Sequence, residues 1–109
     1  MKQKMKQNVF VKVFDAVKKI PKGKVSTYGE IARFCGINNP RIVGFALHQN
    51  KTPIEIPCHR VVNRFGQPSL AFVFGGKNVQ KQWLKNEGIV FDGDKVDLQK
   101  YMFYFKNED

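Results

Sequence analysis

Two short helical patterns follow one another between Thr27 and Leu47 with a two-residue gap, and nothing else in the chain narrows the fold as far. The first starts at Thr27, where Thr27 and Glu30 have the spacing of a capping box. It carries Ile31, Phe34 and Cys35 and stops at Gly36. The second has Asn39 as a natural N-cap and Pro40 at the first helical position, where a missing N–H costs no hydrogen bond. Ile42, Val43, Ala46 and Leu47 make its buried stripe and leave Arg41, Gly44, Phe45 and His48 on another face. Helix, tight turn and helix, with an arginine near the start of the second, is a helix-turn-helix pattern. The pattern alone leaves DNA binding open, because many small helical domains contain such a pair.

The flanking segments complete the outline. Residues 9–20 place Phe10, Val13, Phe14, Val17 and Ile20 on one helical face, although the alternation of Val9, Val11 and Val13 also suits a strand. Ile20-Pro21-Lys22-Gly23 ends that element with a turn. Residues 50–62 are irregular and punctuated by proline, and the glycines and β-prone residues of 65–76 read as a hairpin or wing. A last helix, Val79–Glu87, is closed by Gly88. The apolar tail Tyr101–Phe105, beyond Asp92-Gly93, is expected to pack back on the core. The expected architecture is mainly α with a small β wing, one domain over residues 9–109 behind a flexible N-terminal arm of residues 1–8.

Charge suggests the partner. Nineteen basic residues against nine acidic give +10 on 109 residues, which favours a polyanion, nucleic acid ahead of an anionic membrane. A solvated lysine-rich surface explains the same composition equally well. Ten phenylalanines and 42% hydrophobic residues argue against disorder. No apolar run approaches the roughly 20 residues of a membrane span. The charged opening residues precede no hydrophobic signal-peptide core. Cys35 and Cys58 lie in different settings and make no disulfide framework, so a reducing intracellular location is expected, cytoplasmic and nucleoid-associated or nuclear.

Ile56-Pro57-Cys58-His59-Arg60 is the segment with chemistry in it. Cys35 sits in an apolar stripe, as a structural cysteine does, whereas Cys58 stands between proline and histidine outside any regular element. Adjacent Cys and His lack zinc-site spacing, and no second pair completes four ligands. An activated thiol remains, its pKa expected to be lowered by the nearby His and cationic groups.

Gly23-Lys24-Val25-Ser26-Thr27-Tyr28-Gly29, Arg41-Ile42-Val43-Gly44, Asn50, Pro57-Cys58-His59-Arg60-Val61-Val62, Gly75-Gly76 and Glu87-Gly88 occur in an order that resembles the O6-alkylguanine-DNA alkyltransferase family. The resemblance covers about residues 9–90. It implies a winged helix-turn-helix domain that approaches duplex DNA through the minor groove and flips O6-alkylguanine out of the stack. By resemblance, Arg41 fills the vacated position, and Gly44 lets the helix backbone approach the groove. Thr27 and Arg60 join them as DNA contacts. Tyr28 lies near guanine N3, offsetting charge on the purine. Cys58 is implied as the nucleophile, His59 as its proton acceptor through a water, and Glu87 as the residue that orients the imidazole. Asn50 and Pro57 are structural beside the site, and Val61, Val73, Phe74 and Gly75 are expected to wall the lesion pocket. The implied reaction leaves a thioether, so one molecule repairs one lesion, as a monomer, with no metal and no other cofactor.

The resemblance has departures. Family members usually carry an N-terminal domain, for which residues 1–8 leave no room. Val73 and Phe74 stand where the family commonly has tyrosine and serine. Residues 92–101 resemble the short alkyltransferase-like proteins, which bind alkylated DNA without repair and typically have tryptophan at the position of Cys58. A non-catalytic lesion sensor is therefore the alternative to a stoichiometric alkyltransferase, and Cys58 favours the alkyltransferase.

Overall fold

A computed structural model describes residues 8–69 and 72–106. Helix α1, Val9–Lys18, starts at Asn8, whose side chain accepts from the Phe10 amide. Asn8 thus belongs to the helix cap; the rest of the expected arm lies outside the described residues. The strand alternative for this segment is excluded. Val13, Ala16 and Val17 are buried along one face, and the helix ends two residues short of the expected Ile20.

Strand β1, Ser26–Thr27, leads into α2, Tyr28–Cys35. Thr27 Oγ1 accepts from the Glu30 amide at 3.1 Å, a cap worth about 1 kcal/mol. The reciprocal half of the capping box is missing. The Glu30 carboxylate instead takes Arg33 and the Phe105 amide. Gly36 closes α2 at φ +73, a left-handed conformation that favours glycine. Helix α3, Pro40–Leu47, begins where Asn39 caps the Arg41 amide. Val43, Ala46 and Leu47 face the core, but Ile42 does not. It is 38% exposed, one position round the helix from the face that α1 and α2 cover.

After α3 the chain runs irregularly to a single 3₁₀ turn, Cys58–Arg60, and strand β2, Val61–Val62. β2 pairs in parallel with β1, Ser26 opposite Val61 and Thr27 opposite Val62. This pairing seats α2 and α3 beside the cysteine turn. Among the described residues of 65–76 there are turns and irregular chain up to Gly76, where helix α4 begins, and no strand of the hairpin or wing expected there. The antiparallel hairpin is β3, Phe91–Asp92, with β4, Lys95–Val96. Its sequence signal is the Asp92-Gly93 turn. α4, Gly76–Asn86, starts three residues earlier than expected, and Gly88, at φ +94, follows its cap. A short α5, Leu98–Tyr101, precedes the tail.

Two apolar clusters result. α1, α2 and α3 meet around Val13, Val17, Ile31, Val43 and Leu47, with Phe105 of the tail packed in. Val25, Val62, Leu84, Ile89, Val96 and Tyr101 form the second. The tail is tied to Val25, whose amide donates to Tyr101 O and whose carbonyl accepts from the Phe103 amide. Among the described residues no helix is long and apolar enough to cross a membrane.

Candidate active site

The loop between α3 and the cysteine turn is irregular, so its shape depends on side-chain hydrogen bonds. Asn50, 3% exposed, supplies them. Its Nδ2 donates to Ile56 O at 2.8 Å and to Cys58 Sγ at 3.3 Å, while Oδ1 accepts from the Thr52 amide. Gln80 of α4 holds the other side. Its Nε2 donates to the carbonyls of His59 and Val61, and its Oε1 accepts from the Ser69 amide. At 1% exposure it ties the cysteine turn, β2 and the loop before α4 together. Sequence reading missed Gln80. The available signal was its position on the helical stripe that also carries Leu84 and Glu87.

His59 Nε2 and the Arg60 guanidinium both reach Glu87. His59 Nε2 lies 2.8 Å from Glu87 Oε2, and the Arg60 guanidinium donates to both carboxylate oxygens and to Ile20 O. Burial opposes ionisation of Glu87, but the hydrogen bonds from Arg60 and His59 outweigh it and hold the carboxyl below its usual range. Burial lowers the His59 pKa despite the Glu87 contact, so the imidazole is neutral. A neutral ring beside a carboxylate carries its proton on Nε2 and leaves Nδ1 as the acceptor. Nδ1 is buried with no hydrogen-bond partner among the described residues.

Cys58 departs from the expected low pKa. Burial pushes its thiol up, and the Asn50 hydrogen bond only partly offsets this. The physical reason is that the neighbouring Arg60 charge is neutralised by Glu87 while His59 is itself neutral. The resting group is a thiol. Burial likewise pushes the Tyr28 hydroxyl up, with a Ser69 hydrogen bond lowering it and nearby Cys58 raising it. Tyr28 is thus a hydrogen-bond donor at neutral pH.

Cys58 opens on a cavity of about 520 Å3. Tyr28, Arg41, Gly44 and Val73 line it, as does Cys58, so five expected site residues come together. Three expected wall residues do not line it. Val61 is fully buried in β2, Gly75 caps α4, and Phe74 lies against Trp83 with ring centroids 6.2 Å apart. Phe72, edge-on to Trp83 at 5.4 Å, takes the cavity wall instead. Phe45, Leu47, His48 and Ser69 also line the cavity and were not assigned to the lesion pocket from sequence. Phe45 and His48 carried a signal, since they share the outer face of α3 with Arg41.

The remaining expected residues lie elsewhere. Pro57, His59, Arg60 and Glu87 border a second cavity of about 450 Å3. Arg60, expected on DNA, is committed to Glu87 and Ile20 O, and its side chain is 16% exposed. Thr27, also expected on DNA, is 8% exposed with its hydroxyl in the α2 cap. Both side chains are engaged within the fold.

The chain that places a buried cysteine next to a neutral histidine paired with an ionised glutamate, on a cavity also lined by an exposed arginine, has known relatives. The model of the 6-O-methylguanine DNA methyltransferase DNA-binding domain matches residues 8–89. The chain belongs to that family. Alkyltransferase-like protein 1 of Schizosaccharomyces pombe is 40% identical over 100 residues, covering 86% of this family member and 93% of the relative. A crystal structure of S. pombe Atl1 in complex with damaged DNA containing O6-carboxymethylguanine superposes with TM-score 0.76 at 40% identity, over 87% of this chain and 94% of that one. A methylated-DNA–protein-cysteine methyltransferase of Methanothermobacter thermautotrophicus is 38% identical over 82 residues, 75% of this chain. The chain spans 45% of that relative's length.

Proposed function

We propose that the chain acts as a helix-turn-helix protein that binds duplex DNA, extrudes O6-alkylguanine into the cavity above Cys58, and takes the alkyl group onto that sulfur. The observation that carries this reading is the placement of Cys58 on the cavity wall, one residue from a His59 that Glu87 holds in a single tautomer.

The steps balance within the site. The Cys58 thiol proton passes through one water to His59 Nδ1. The sulfur then attacks the alkyl carbon, an S–C bond forms and the C–O6 bond breaks. The electron pair moves onto the purine, and the proton that His59 received returns through water to N1, so the base ends as guanine and the imidazole is neutral again. Tyr28, a neutral hydroxyl, donates toward the base and offsets the charge that develops there. A thioether does not hydrolyse, so the protein is used once. Arg41, exposed at the cavity rim on α3, supplies a planar cation to the vacated stack. Gly44 has room within the protein for a Cβ, which would meet only Tyr28 Cε1 at 3.8 Å. Its lack of a side chain therefore serves close approach of DNA rather than internal packing.

A second reading is favoured by the likeness to alkyltransferase-like protein 1 over 93% of that relative. In that reading the chain flags the lesion without repairing it. Intact-protein mass after mixing with O6-methylguanine duplex separates the two. Alkyl transfer adds one methyl group, on Cys58 and not Cys35, and Cys58→Ser abolishes the gain while DNA affinity stays within a few fold. An unchanged mass with tight, lesion-selective binding would establish the sensor.

A further inference from the structure

Ile42 and Phe45, one and four positions beyond Arg41, form an apolar patch on the outer face of α3. They are neighbours on a helix surface by their spacing of three. Phe45 is 62% exposed and Ile42 38%. Phe45 is also a rim residue of the cavity that holds Arg41 and Cys58. Its ring is braced: Phe10 of α1 meets it edge-on at 5.8 Å and 66°, and Phe10 in turn leans on Phe14. A large ring held from one side, open on the other and adjoining a cationic finger is poorly explained by folding, which gains little from it.

We propose that Phe45 is a second DNA wedge. This rests on the reading that the chain extrudes a guanine from duplex DNA. The ring inserts against the base step beside the gap that Arg41 fills, and it kinks the duplex there. Apolar side chains set against a base step unstack it and bend the helix. A guanidinium can occupy a hole and hydrogen-bond within it, but it pries open a step poorly because its edge remains hydrated. The two side chains divide the work: Phe45 opens the step and Arg41 holds the position vacated. Ile42 covers the sugar edges alongside and keeps water from the opened step.

The test uses the full chain and a duplex with one O6-methylguanine, 2-aminopurine beside the lesion to report unstacking, and terminal dyes to report bending. Phe45→Ala is expected to lower both signals and to weaken lesion-duplex affinity about tenfold, while binding to a single strand carrying the same lesion stays within about twofold. Phe45→Leu, which keeps an apolar wedge, retains most of the bend, and melting temperatures of both variants check the fold. Unchanged bending and unstacking in Phe45→Ala overturn the proposal. Equal losses on duplex and single strand also overturn it, since they make Phe45 a wall of the base pocket. A wild-type chain that binds the lesion but neither bends nor unstacks the duplex overturns the extrusion reading and the wedge together.

Discussion

His59 and Glu87 stand 28 residues apart in sequence and 2.8 Å apart in space, Nε2 to Oε2, and the contact sets which imidazole nitrogen can receive a proton. Glu87→Gln removes the charge that keeps hydrogen on Nε2. Transfer to Cys58 is expected to slow roughly 100-fold, the order of a general-base contribution. Affinity for lesion DNA should change little. Single-turnover rates beside binding isotherms check this, and an equal loss in both would make Glu87 purely structural.

The same pair makes folding stability depend on acid. His59 has a folded pKa below its ordinary 6.5, so the unfolded chain takes up a proton that the native chain refuses as pH falls below about 6.5. Its stabilising share is present above that pH and is lost as pH falls through the folded value. Glu87, also depressed below its ordinary 4.5, adds a second loss in more acidic solution. Thermal melts across pH 4–7.5 should show the melting temperature falling toward acid, and His59→Gln should flatten the limb nearest neutrality.

Arg41→Ala is expected to slow transfer from duplex DNA at least about tenfold, the kinetic equivalent of 1.4 kcal/mol of lost compensation for unstacking. Transfer from the free base O6-benzylguanine should hold, because Arg41 has no part in thiol chemistry. A mismatch or bulge opposite the lesion should partly rescue the variant. Equal losses on duplex and free base would place Arg41 in the pocket or the fold.

Salt should weaken DNA binding steeply. With about five phosphates neutralised, the log–log slope is expected near −4 to −5 on duplex DNA. Titration of affinity between low and moderate salt measures it, and a flat response would detach the +10 charge from DNA binding.

Gly66 has φ +83, and a Cβ there would collide with the Val96 carbonyl oxygen. Gly66→Ala is therefore expected to cost roughly 2–3 kcal/mol, from left-handed strain and displacement of the β3–β4 hairpin. In a domain of this size that is roughly a 10 °C fall in melting temperature. An unchanged melt would show that the hairpin yields freely.

What was legible in the sequence depended on the range of the interaction. The α3 start is local, since Asn39 and Pro40 each carry their reason within two residues, and the structure has the cap as expected. Cys58 and His59 stood out through an unusual neighbourhood. Long-range relations were not visible. Two-residue strands such as β1 and β2 leave no periodicity to read, and whether Phe72 or Phe74 faces the cavity depends on Trp83 from α4. The direction of the Cys58 shift was misread for a similar reason. Adjacency in sequence suggested that His59 and Arg60 act on the thiol, while in space both turn to Glu87.

The Glu87 carboxylate gathers His59, Arg60 and, more distantly at 3.5 Å, the Gly23 amide, while Arg60 reaches on to Ile20 O. The end of α4 is thereby fastened to the turn after α1, whatever stands at position 58. A lineage that exchanged Cys58 for an inert residue would still need the carboxylate to close its fold, so an acid at this position is no marker of reactivity. On the proposed reading, exchanging the sulfur at position 58 would leave this brace, and the lesion-binding shape it supports, in place.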